Sequence, residues 1–452
     1  MRIRTSAGLA AGIVLAFGAA ACSSSASSGT GTGTAGATSA AAGAPTAAIA
    51  GAGSGTGKTL TVWYMDGDLS DAAVKAINDK FTALTGAQVK VQIQQWDGIN
   101  TKVATALAQD NPPDVLEIGN TDVPLFAASG GLSDITSALP ELQGSQHWLP
   151  GLEGPATVDG KSFGAPLFAG NRAVVYNKKI WADAGITTPP TTFAQLTADL
   201  DAIKAKNTAP DFSAFYFPGK YWHGALQFVW DAGGQLATSS GGKWSGSLAT
   251  PEAQKGLAAW KDFVGKYSSP ASRDVETTAP DFNTLFAQGK TATILNTSIN
   301  PIVKVDASLK DQIGTFPMPS ATDGKTQPVF LGGSDLGIAT KSKNQALALA
   351  YLKAATDPAV QAAAIVGIDH WIPASTEVID QTISSLPPTS QAFFAAAKTS
   401  VPTPAVAGWA TVESDKSIDD FFADIATGRK SPADAAKSLD SHLDQALNAS
   451  VG

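Results

Sequence analysis

Three strand-like segments organise the first part of this chain: TLTVWYM (residues 59–65), QVKVQIQ (88–94) and DVLEI (114–118). Between the first two segments, apolar residues recur at helical spacing from Ser70 to Leu84. Between the second and third, Asp97 caps a predicted helix that reaches about Gln109. Strands that alternate with helices form a parallel sheet with helices on both faces. The sequence therefore predicts an α/β fold.

Later parts of the chain contain further strand and helix patterns. The predicted elements are strands at 173–177, 291–295 and 335–339, a hairpin that turns at Asp159-Gly160, and helices at 192–206 and 251–267. Asp-Gly is a typical turn pair of a tight hairpin. Thr192 and Gln195 have the spacing of a capping box. From Asn344 onward the pattern is mostly helical.

The N-terminus carries the pattern of an export signal. Arg2 and Arg4 precede an apolar run over residues 7–21, which ends in three alanines before Cys22, the only cysteine of the chain. A basic start, a short apolar core and small residues before a cleavage site are typical of a secretory signal peptide. The run is shorter than the about 20 residues that span a bilayer. We predict a signal peptide at 1–21 and a bacterial lipobox, with Cys22 lipidated and the protein anchored to the outer face of the membrane. An ordinary signal peptide with a chance cysteine is the alternative.

Residues 22–57 have a composition unlike the rest of the chain. After Cys22 they are serine, glycine, threonine and alanine with one proline and one isoleucine, and they contain no charged residue. Such a segment cannot bury a core and behaves as a flexible linker. We therefore expect a tether between Cys22 and a folded part that begins near Lys58.

Size and charge limit the class of protein. About 395 residues follow the predicted tether, more than a single core usually holds, which indicates two domains. Removal of residues 1–21 takes away two arginines and no acid, so the formal net charge of −8 becomes −10. An acidic surface argues against a nucleic-acid partner. The sequence has no cysteine pair and no HExxH motif, so we predict no metal site and no cofactor. We expect a monomer.

Two short segments match enzyme motifs by spacing alone. AGSGTGKT (52–59) fits the phosphate-loop pattern, but that loop needs a strand before it and a helix after it, and here a strand follows. GKSFG (160–164) fits the hydrolase pattern, but Ser162 lies in a predicted hairpin rather than at a strand-to-helix elbow. The sequence therefore does not predict an enzyme.

Loops after the first three strands carry candidate ligand-binding residues: Asp66 and Asp68, Trp96 and Asp97, and Asn120 and Thr121. Parallel sheets bind ligands beyond the carboxyl ends of their strands. A sugar ring has apolar C–H faces that tryptophan covers and hydroxyls that carboxylates and amides bind. The simpler alternatives are turn residues for Asp66 and Asp68, a helix cap for Asp97, and packing under the helix for Trp96.

Two later segments add candidates. Tyr221 and Trp222 stand at the entrance of a predicted helix, where consecutive aromatic residues favour a place in a binding cleft, and Asp231 closes that helix. Ser334 and Asp335 follow a Gly-Gly pair, which lets the backbone approach a ligand closely.

Four blocks, taken in order, resemble a known family. The blocks are FTALTGAQVK…GLSDI (81–135), KSFGAPLFAG…TTFAQL (161–196), FNTLFAQGKTATIL (282–295) and LGGSDLGIATKSKNQALALAYLKAAT (331–356). They are similar to the extracellular solute-binding proteins, family 1, of ABC-type carbohydrate importers. With the opening strand, they are distributed over most of the span from residue 58 to residue 375.

The resemblance implies a two-lobe, periplasmic-binding-protein-like fold of type II, in which a multi-strand hinge joins two lobes that are each a sheet flanked by helices. It implies an N-terminal lobe of residues 58–170 with 291–335, and a C-terminal lobe of 171–290 with 336–452. It also implies the function: the protein captures a mono- or oligosaccharide between the lobes and delivers it to a membrane permease.

The resemblance also bears on single residues. It places Phe168, Asn171 and Arg172 at the first crossover between the lobes, and Trp371 against the sugar. Trp96, Asn120 and Thr121 match cleft positions of the family. An interlobe salt bridge is the alternative role for Arg172.

Three other functions are compatible with parts of this pattern. A glycoside hydrolase needs two carboxylates about 5–9.5 Å apart, for which Asp66, Asp68 and Asp97 are the candidates. The same fold could bind a polyamine, a peptide or a metal instead of a sugar. A cell-surface scaffold would bind no small ligand.

Overall fold

The computed structural model of the protein describes residues 48–51 and 53–449. The predicted signal peptide and Cys22 lie outside the described residues. The first series of elements is β1 Thr59–Met65, α1 Asp71–Thr85, β2 Gln88–Gln94, α2 Ile99–Ala108, β3 Val115–Gly119, α3 Val123–Ala128, α4 Leu139–Gln143, α5 Pro150–Ala156, β4 Thr157–Val158, β5 Lys161–Ser162 and β6 Ala165–Gly170.

The middle of the chain forms a second series of elements. These are β7 Ala173–Asn177, α6 Lys178–Asp183, α7 Phe193–Lys206, α8 Trp222–Asp231, β8 Ala237–Ser240, β9 Lys243–Gly246, α9 Pro251–Tyr267, α10 Phe282–Ala287, β10 Thr293–Asn296, α11 Asn300–Val305 and β11 Ile313–Phe316.

The last series is mostly helical, as the sequence predicts. It comprises β12 Gly332–Ile338, α12 Gln345–Ala355, α13 Pro358–Val360, β13 Ile372–Pro373, α14 Thr376–Thr382, α15 Pro388–Ala397, α16 Trp409–Ser414, α17 Ser417–Thr427 and α18 Pro432–Ala446. None of the helices in the described residues has the length and hydropathy of a membrane span.

The first lobe is built on a six-stranded sheet in the order β13-β6-β12-β3-β1-β2. β1 is parallel to both β2 and β3, whereas β12 is antiparallel to β3 and β6. Apolar residues of α1 and α12 pack on one face of this sheet, and those of α2 and α3 pack on the other. The predicted α/β sheet with both faces covered is confirmed.

Local signals account for several element boundaries. The Ser70 hydroxyl accepts a hydrogen bond from the Ala73 N–H and caps α1, and Gly86 ends that helix in the left-handed conformation. Thr192 and Gln195 form the predicted capping box of α7. Asp159 and Gly160, both with positive φ, make the turn between β4 and β5. Ser162 therefore lies on a hairpin strand, as predicted, and its hydroxyl donates to the Gly164 carbonyl.

The second lobe is built on a three-stranded antiparallel sheet in the order β10-β7-β11. A single large core surrounds it, to which α7, α8, α9, α17 and α18 contribute their apolar faces. The chain passes between the two sheets three times: through residues 171–172, through residues 317–331, and after β13. These passages form the multi-strand connection that the resemblance implies.

The sheet pairings correct the predicted division of the chain at 291–335 and 336–452. β10 and β11 pair with β7 and so belong to the second lobe, not to the lobe of residues 58–170. β12 pairs with β3 and β6, and α12 packs on the same sheet, so both belong to the first lobe. An alternating sequence pattern predicts that a segment is a strand. Which sheet the strand joins depends on partner strands that are far away in the chain.

Two local predictions are also wrong. α2 begins at Ile99 after Gly98 and has no side-chain cap, so Asp97 does not cap it. The predicted tether ends before residue 57, because the Ala50 N–H binds the Ala346 carbonyl and Ile49 packs on the first-lobe core. Gly55 is buried against Ala87. Its missing side chain permits this approach, which composition alone does not reveal.

Candidate functional site

A cleft of about 600 Å³ lies between the two lobes. Its first-lobe wall comes from the loops after β1, β2 and β3 and from the strand ends of β6 and β12, and its second-lobe wall comes from α8, α16 and the crossovers. The lining side chains with aromatic or polar groups are Asp68, Trp96, Asn100, Asn120, Thr121, Asp122, Phe168, Arg172, His223, Thr297, Phe330, Ser334, Trp371, Glu413 and Ser414.

Two tryptophans converge on Asp68. The Trp371 indole nitrogen donates to the Asp68 backbone carbonyl at 2.9 Å, and the Trp96 indole nitrogen donates to the Asp68 carboxylate at 3.4 Å. Trp371 also packs against Phe168 in a tilted arrangement, with ring centroids 5.0 Å apart and planes 30° apart. Trp96 remains 40% exposed. The cleft therefore offers one anchored and one accessible aromatic face.

A second carboxyl group lies beneath Asp68. Glu117 on β3 is fully buried, and its Oε2 accepts a hydrogen bond from the Met65 N–H at 2.8 Å. Burial raises the pKa of Glu117 well above its usual value, and the hydrogen bond and charge of Asp68 raise it further. Burial also raises the pKa of Asp68, while its hydrogen bonds to Glu117 and Trp96 oppose this. These directions favour the protonated form of Glu117.

The opposite wall holds one arginine in an aromatic setting. The Arg172 Nε donates to the Tyr221 hydroxyl at 3.1 Å, and the guanidinium lies 5.4 Å from the Phe330 ring centroid. The His223 ring stacks on the Trp222 ring, with ring centroids 3.7 Å apart. Burial, together with the charge of Arg172, holds the pKa of His223 well below its usual value. The imidazole on this wall is therefore neutral at neutral pH.

Two acids complete the lining from different lobes. The Asn100 amide donates to the Asp122 carboxylate at 3.1 Å, and burial raises the pKa of Asp122. Burial raises the pKa of Glu413 on α16 to about 7, with the Asp122 charge adding to the effect and Thr121 and Arg172 opposing it. Partly desolvated carboxyl groups of this kind are suited to hydrogen bonds with uncharged polar ligands.

Comparison with known proteins agrees with this architecture. The sequence profile of the bacterial extracellular solute-binding proteins matches residues 66–362. The chain belongs to this family. It is 36% identical over 393 residues to the diacetylchitobiose-binding protein DasA of Streptomyces coelicolor, an alignment that covers 86% of this chain and 90% of the relative.

Solved structures share the fold of this solute-binding protein. The sugar-binding protein MalE of Xanthomonas citri superposes with a TM-score of 0.75 at 22% identity, covering 86% of this chain and 97% of that one. An ABC-transporter solute-binding protein of Thermotoga lettingae, bound with α-D-tagatose, gives a TM-score of 0.65 at 23% identity and covers 86% and 100%. The two-lobe fold that the resemblance implies is therefore established.

The cleft of this solute-binding protein brings together eight of the sequence-predicted residues: Asp68, Trp96, Asn120, Thr121, Phe168, Arg172, Ser334 and Trp371. Asn120 has a structural role as well, because its amide nitrogen donates to the carbonyls of Gly151 and Leu331. It thereby ties the loop after β3 to α5 and to the second crossover.

Seven predicted residues do not line this cleft: Asp66, Asp97, Asn171, Tyr221, Trp222, Asp231 and Asp335. Trp222 is buried and packs against His223, Phe330 and Trp409. The Asp231 carboxylate accepts a hydrogen bond from the Ala321 N–H. The Tyr221 hydroxyl accepts a hydrogen bond from Arg172. Asp335 is fully buried within β12.

Burial explains why the sequence placed these aromatic residues wrongly. An aromatic cluster at a helix entrance is equally suited to a core, and the larger core of the second lobe takes Tyr221 and Trp222. Of the three acids considered for a hydrolase, only Asp68 lines the cleft. Among the described residues, no group of three or more metal-ligating side chains is found.

Sequence reasoning missed seven polar or aromatic cleft residues: Asn100, Asp122, His223, Thr297, Phe330, Glu413 and Ser414. Asn100 and Asp122 lie within a few residues of strand-end loops that the sequence had indicated, so a wider window would have included them. Glu413 had no local signal, because the distant α16 brings it to the cleft.

Proposed function

We propose that this protein captures a mono- or oligosaccharide in the interlobe cleft and delivers it to the permease of an ABC transporter. The observation that carries the proposal is the pairing of two tryptophan faces with hydrogen-bonding groups around Asp68. Tryptophan rings cover the C–H faces of a sugar, while carboxylates, amides and the arginine bind its hydroxyls. The name of the Streptomyces relative, which refers to an acetylated disaccharide, supports the same ligand class.

Delivery depends on a change of shape in this proposal. Three chain segments connect the lobes, and ligand contacts made by both lobes would favour the closed arrangement over the open one. The permease would recognise that closed arrangement. The protein itself makes and breaks no covalent bond, and it acts as a monomer.

The location follows from the N-terminal residues. The signal-peptide pattern of residues 1–21 and the position of Cys22 support an extracytoplasmic lipoprotein anchored to the outer face of the cell membrane. Two acyl chains on Cys22 would give stable anchoring where one chain is marginal. Mass spectrometry of the cell-derived protein tests this, since Cys22→Ser should abolish lipid attachment and release the protein.

Binding is tested by calorimetric titration of the purified protein with maltotriose, cellobiose, N,N′-diacetylchitobiose and spermidine. We expect saturable binding of at least one sugar, quenching or shifting of tryptophan fluorescence, and no product after prolonged incubation. A ligand at about 100 times its dissociation constant should stabilise the protein by about 2.7 kcal/mol. Binding of spermidine alone would overturn the carbohydrate proposal and favour a cationic solute. Hydrolysis of a sugar would favour the glycosidase instead.

A further inference from the structure

A smaller side pocket of about 210 Å³ adjoins the cleft. Its walls and those of the cleft share Gly170, Thr297 and Trp371. The remaining walls come from the first crossover, from residues 298–300 and 369–370, from β13 and from the start of α15. A group that projects from a ring bound against Trp371 would therefore meet this side pocket.

Asn171 lies in the wall of the side pocket and is fully buried. Its Nδ2 donates to the Phe393 carbonyl at 2.9 Å, which fixes the orientation of the amide. The Asn171 Oδ1 has no hydrogen-bond partner among the described residues. An unpaired buried acceptor is unfavourable, so a ligand N–H that reached this oxygen would gain a hydrogen bond that the unliganded protein lacks.

The rest of the side pocket combines apolar walls with hydroxyl groups and three other polar side chains, Asn300, Asp369 and His370. Ile372, Phe393 and Phe394 provide the apolar surface, and Thr389 and Ser390 provide the hydroxyls. An acetamido group has matching parts: a methyl group for apolar walls, an N–H for a carbonyl acceptor, and a carbonyl for a hydroxyl donor. A sugar hydroxyl in the same position would not contact the apolar walls and would leave most of the side pocket empty.

We propose that the side pocket takes the 2-acetamido group of an N-acetylated amino sugar whose ring lies in the cleft against Trp371. The inference rests on the proposed sugar-binding function and narrows its ligand class. Asn171, which the sequence placed in the binding site, would then act through this pocket as a determinant of specificity. The acetylated disaccharide in the name of the Streptomyces relative is consistent with such a ligand.

Two disaccharides with the same β-1,4-linked backbone provide a direct test. N,N′-diacetylchitobiose carries an acetamido group on each ring where cellobiose carries a hydroxyl. In calorimetric titration of the purified protein, we expect diacetylchitobiose to bind at least tenfold more tightly than cellobiose. Equal affinity for the two sugars, or tighter binding of cellobiose, would overturn the inference and leave the sugar-binding function intact. Binding of no sugar at all would overturn both.

A pocket-filling variant tests the location. Ser390→Phe places a large ring in the side pocket without removing a described side-chain hydrogen bond, and the matched control Ser384→Phe makes the same change at an exposed site outside it. We expect Ser390→Phe to lose at least tenfold in affinity for diacetylchitobiose and to change binding of unacetylated sugars less than threefold. Equal losses for both sugars, or no loss at all, would contradict the placement. Thermal unfolding of both variants separates these results from misfolding.

Asn171 is tested by a variant of similar shape. Asn171→Leu removes the acceptor oxygen together with the Nδ2 donor to the Phe393 carbonyl, and it keeps most of the volume. We expect it to reduce the preference for diacetylchitobiose over cellobiose at least fivefold. An unchanged ratio in a folded variant would exclude the Asn171 amide from recognition of the acetamido group.

Discussion

The indole nitrogen of Trp371 donates a hydrogen bond to the backbone carbonyl of Asp68 at 2.9 Å, across 303 residues of sequence. This contact fixes the plane of the Trp371 ring at the floor of the cleft. Phe168 holds the same ring from the side, 5.0 Å away between centroids. The aromatic face is therefore already oriented before a ligand arrives, and less free energy is spent on ordering it.

Removal of this ring should weaken sugar binding strongly. Trp371→Ala loses the stacking surface and should reduce the affinity for the best sugar at least tenfold, equivalent to about 1.4 kcal/mol. Trp371→Phe keeps an aromatic face but loses the hydrogen bond to Asp68, so it should lose less affinity. Calorimetric titration measures both. An alanine variant that binds as tightly as the native protein would exclude stacking on Trp371.

The accessible ring of Trp96 should affect binding, and its removal should not prevent folding. Because Trp96 is 40% exposed, Trp96→Ala should lower the free energy of unfolding by less than the about 3–5 kcal/mol expected for a fully buried tryptophan, and the variant should still fold. Sugar affinity should nevertheless fall severalfold. Ile93→Ala, at a 50% exposed apolar residue on the edge strand outside the cleft, is the matched control and should change neither quantity. The prediction fails if both variants bind the sugar equally well.

Glu413 should make stability depend on pH. Its pKa is about 7 in the folded protein against an ordinary value of 4.5, so between these values the folded state holds a proton that the unfolded state releases. The contribution to stability is complete below pH 4.5, declines as pH rises to about 7, and is constant above. The full loss is at most about 3 kcal/mol.

Denaturant unfolding of Glu413→Gln at pH 5 and pH 8 checks this. The variant should lose less stability over that interval than the native protein does. Part of the slope will persist, because burial also raises the pKa of Glu117 and Asp335. An identical slope in variant and native protein would mean that Glu413 is ionised at both pH values.

Gly333 should not tolerate a side chain. Its φ is +143°, and an added Cβ would collide with the Phe168 carbonyl oxygen on the neighbouring strand β6. Gly333→Ala should therefore destabilise the protein by about 2 kcal/mol or more and distort the strand ends below the cleft. Gly265→Ala is the control: Gly265 lies at an exposed position of α9 with open space around it, so the change should be neutral or stabilising by up to about 1 kcal/mol. Thermal unfolding that ranks the two variants equally would contradict this.

Several parts of the fold could be read from short stretches of sequence. The alternating apolar residues of β2, the Ser70 cap of α1 and the Asp159-Gly160 turn each depend on groups within a few positions of one another. Such signals predicted the order of the first strands and helices. Because ligands bind beyond the carboxyl ends of parallel strands, they also predicted three loops of the cleft. They misplaced Asp97, because a left-handed Gly98 begins the helix one residue later.

The sequence by itself determined the kind of sheet in the first lobe and the loops at its carboxyl edge, since backbone periodicity and caps act locally. Only the tertiary structure decided that β10 joins the second sheet, that Trp222 is core, and that Glu413 meets the loop of Thr121 and Asp122. The physical reason is that a cleft between lobes is assembled from distant segments. Burial and partner strands, which no short window contains, decide which side chains reach it.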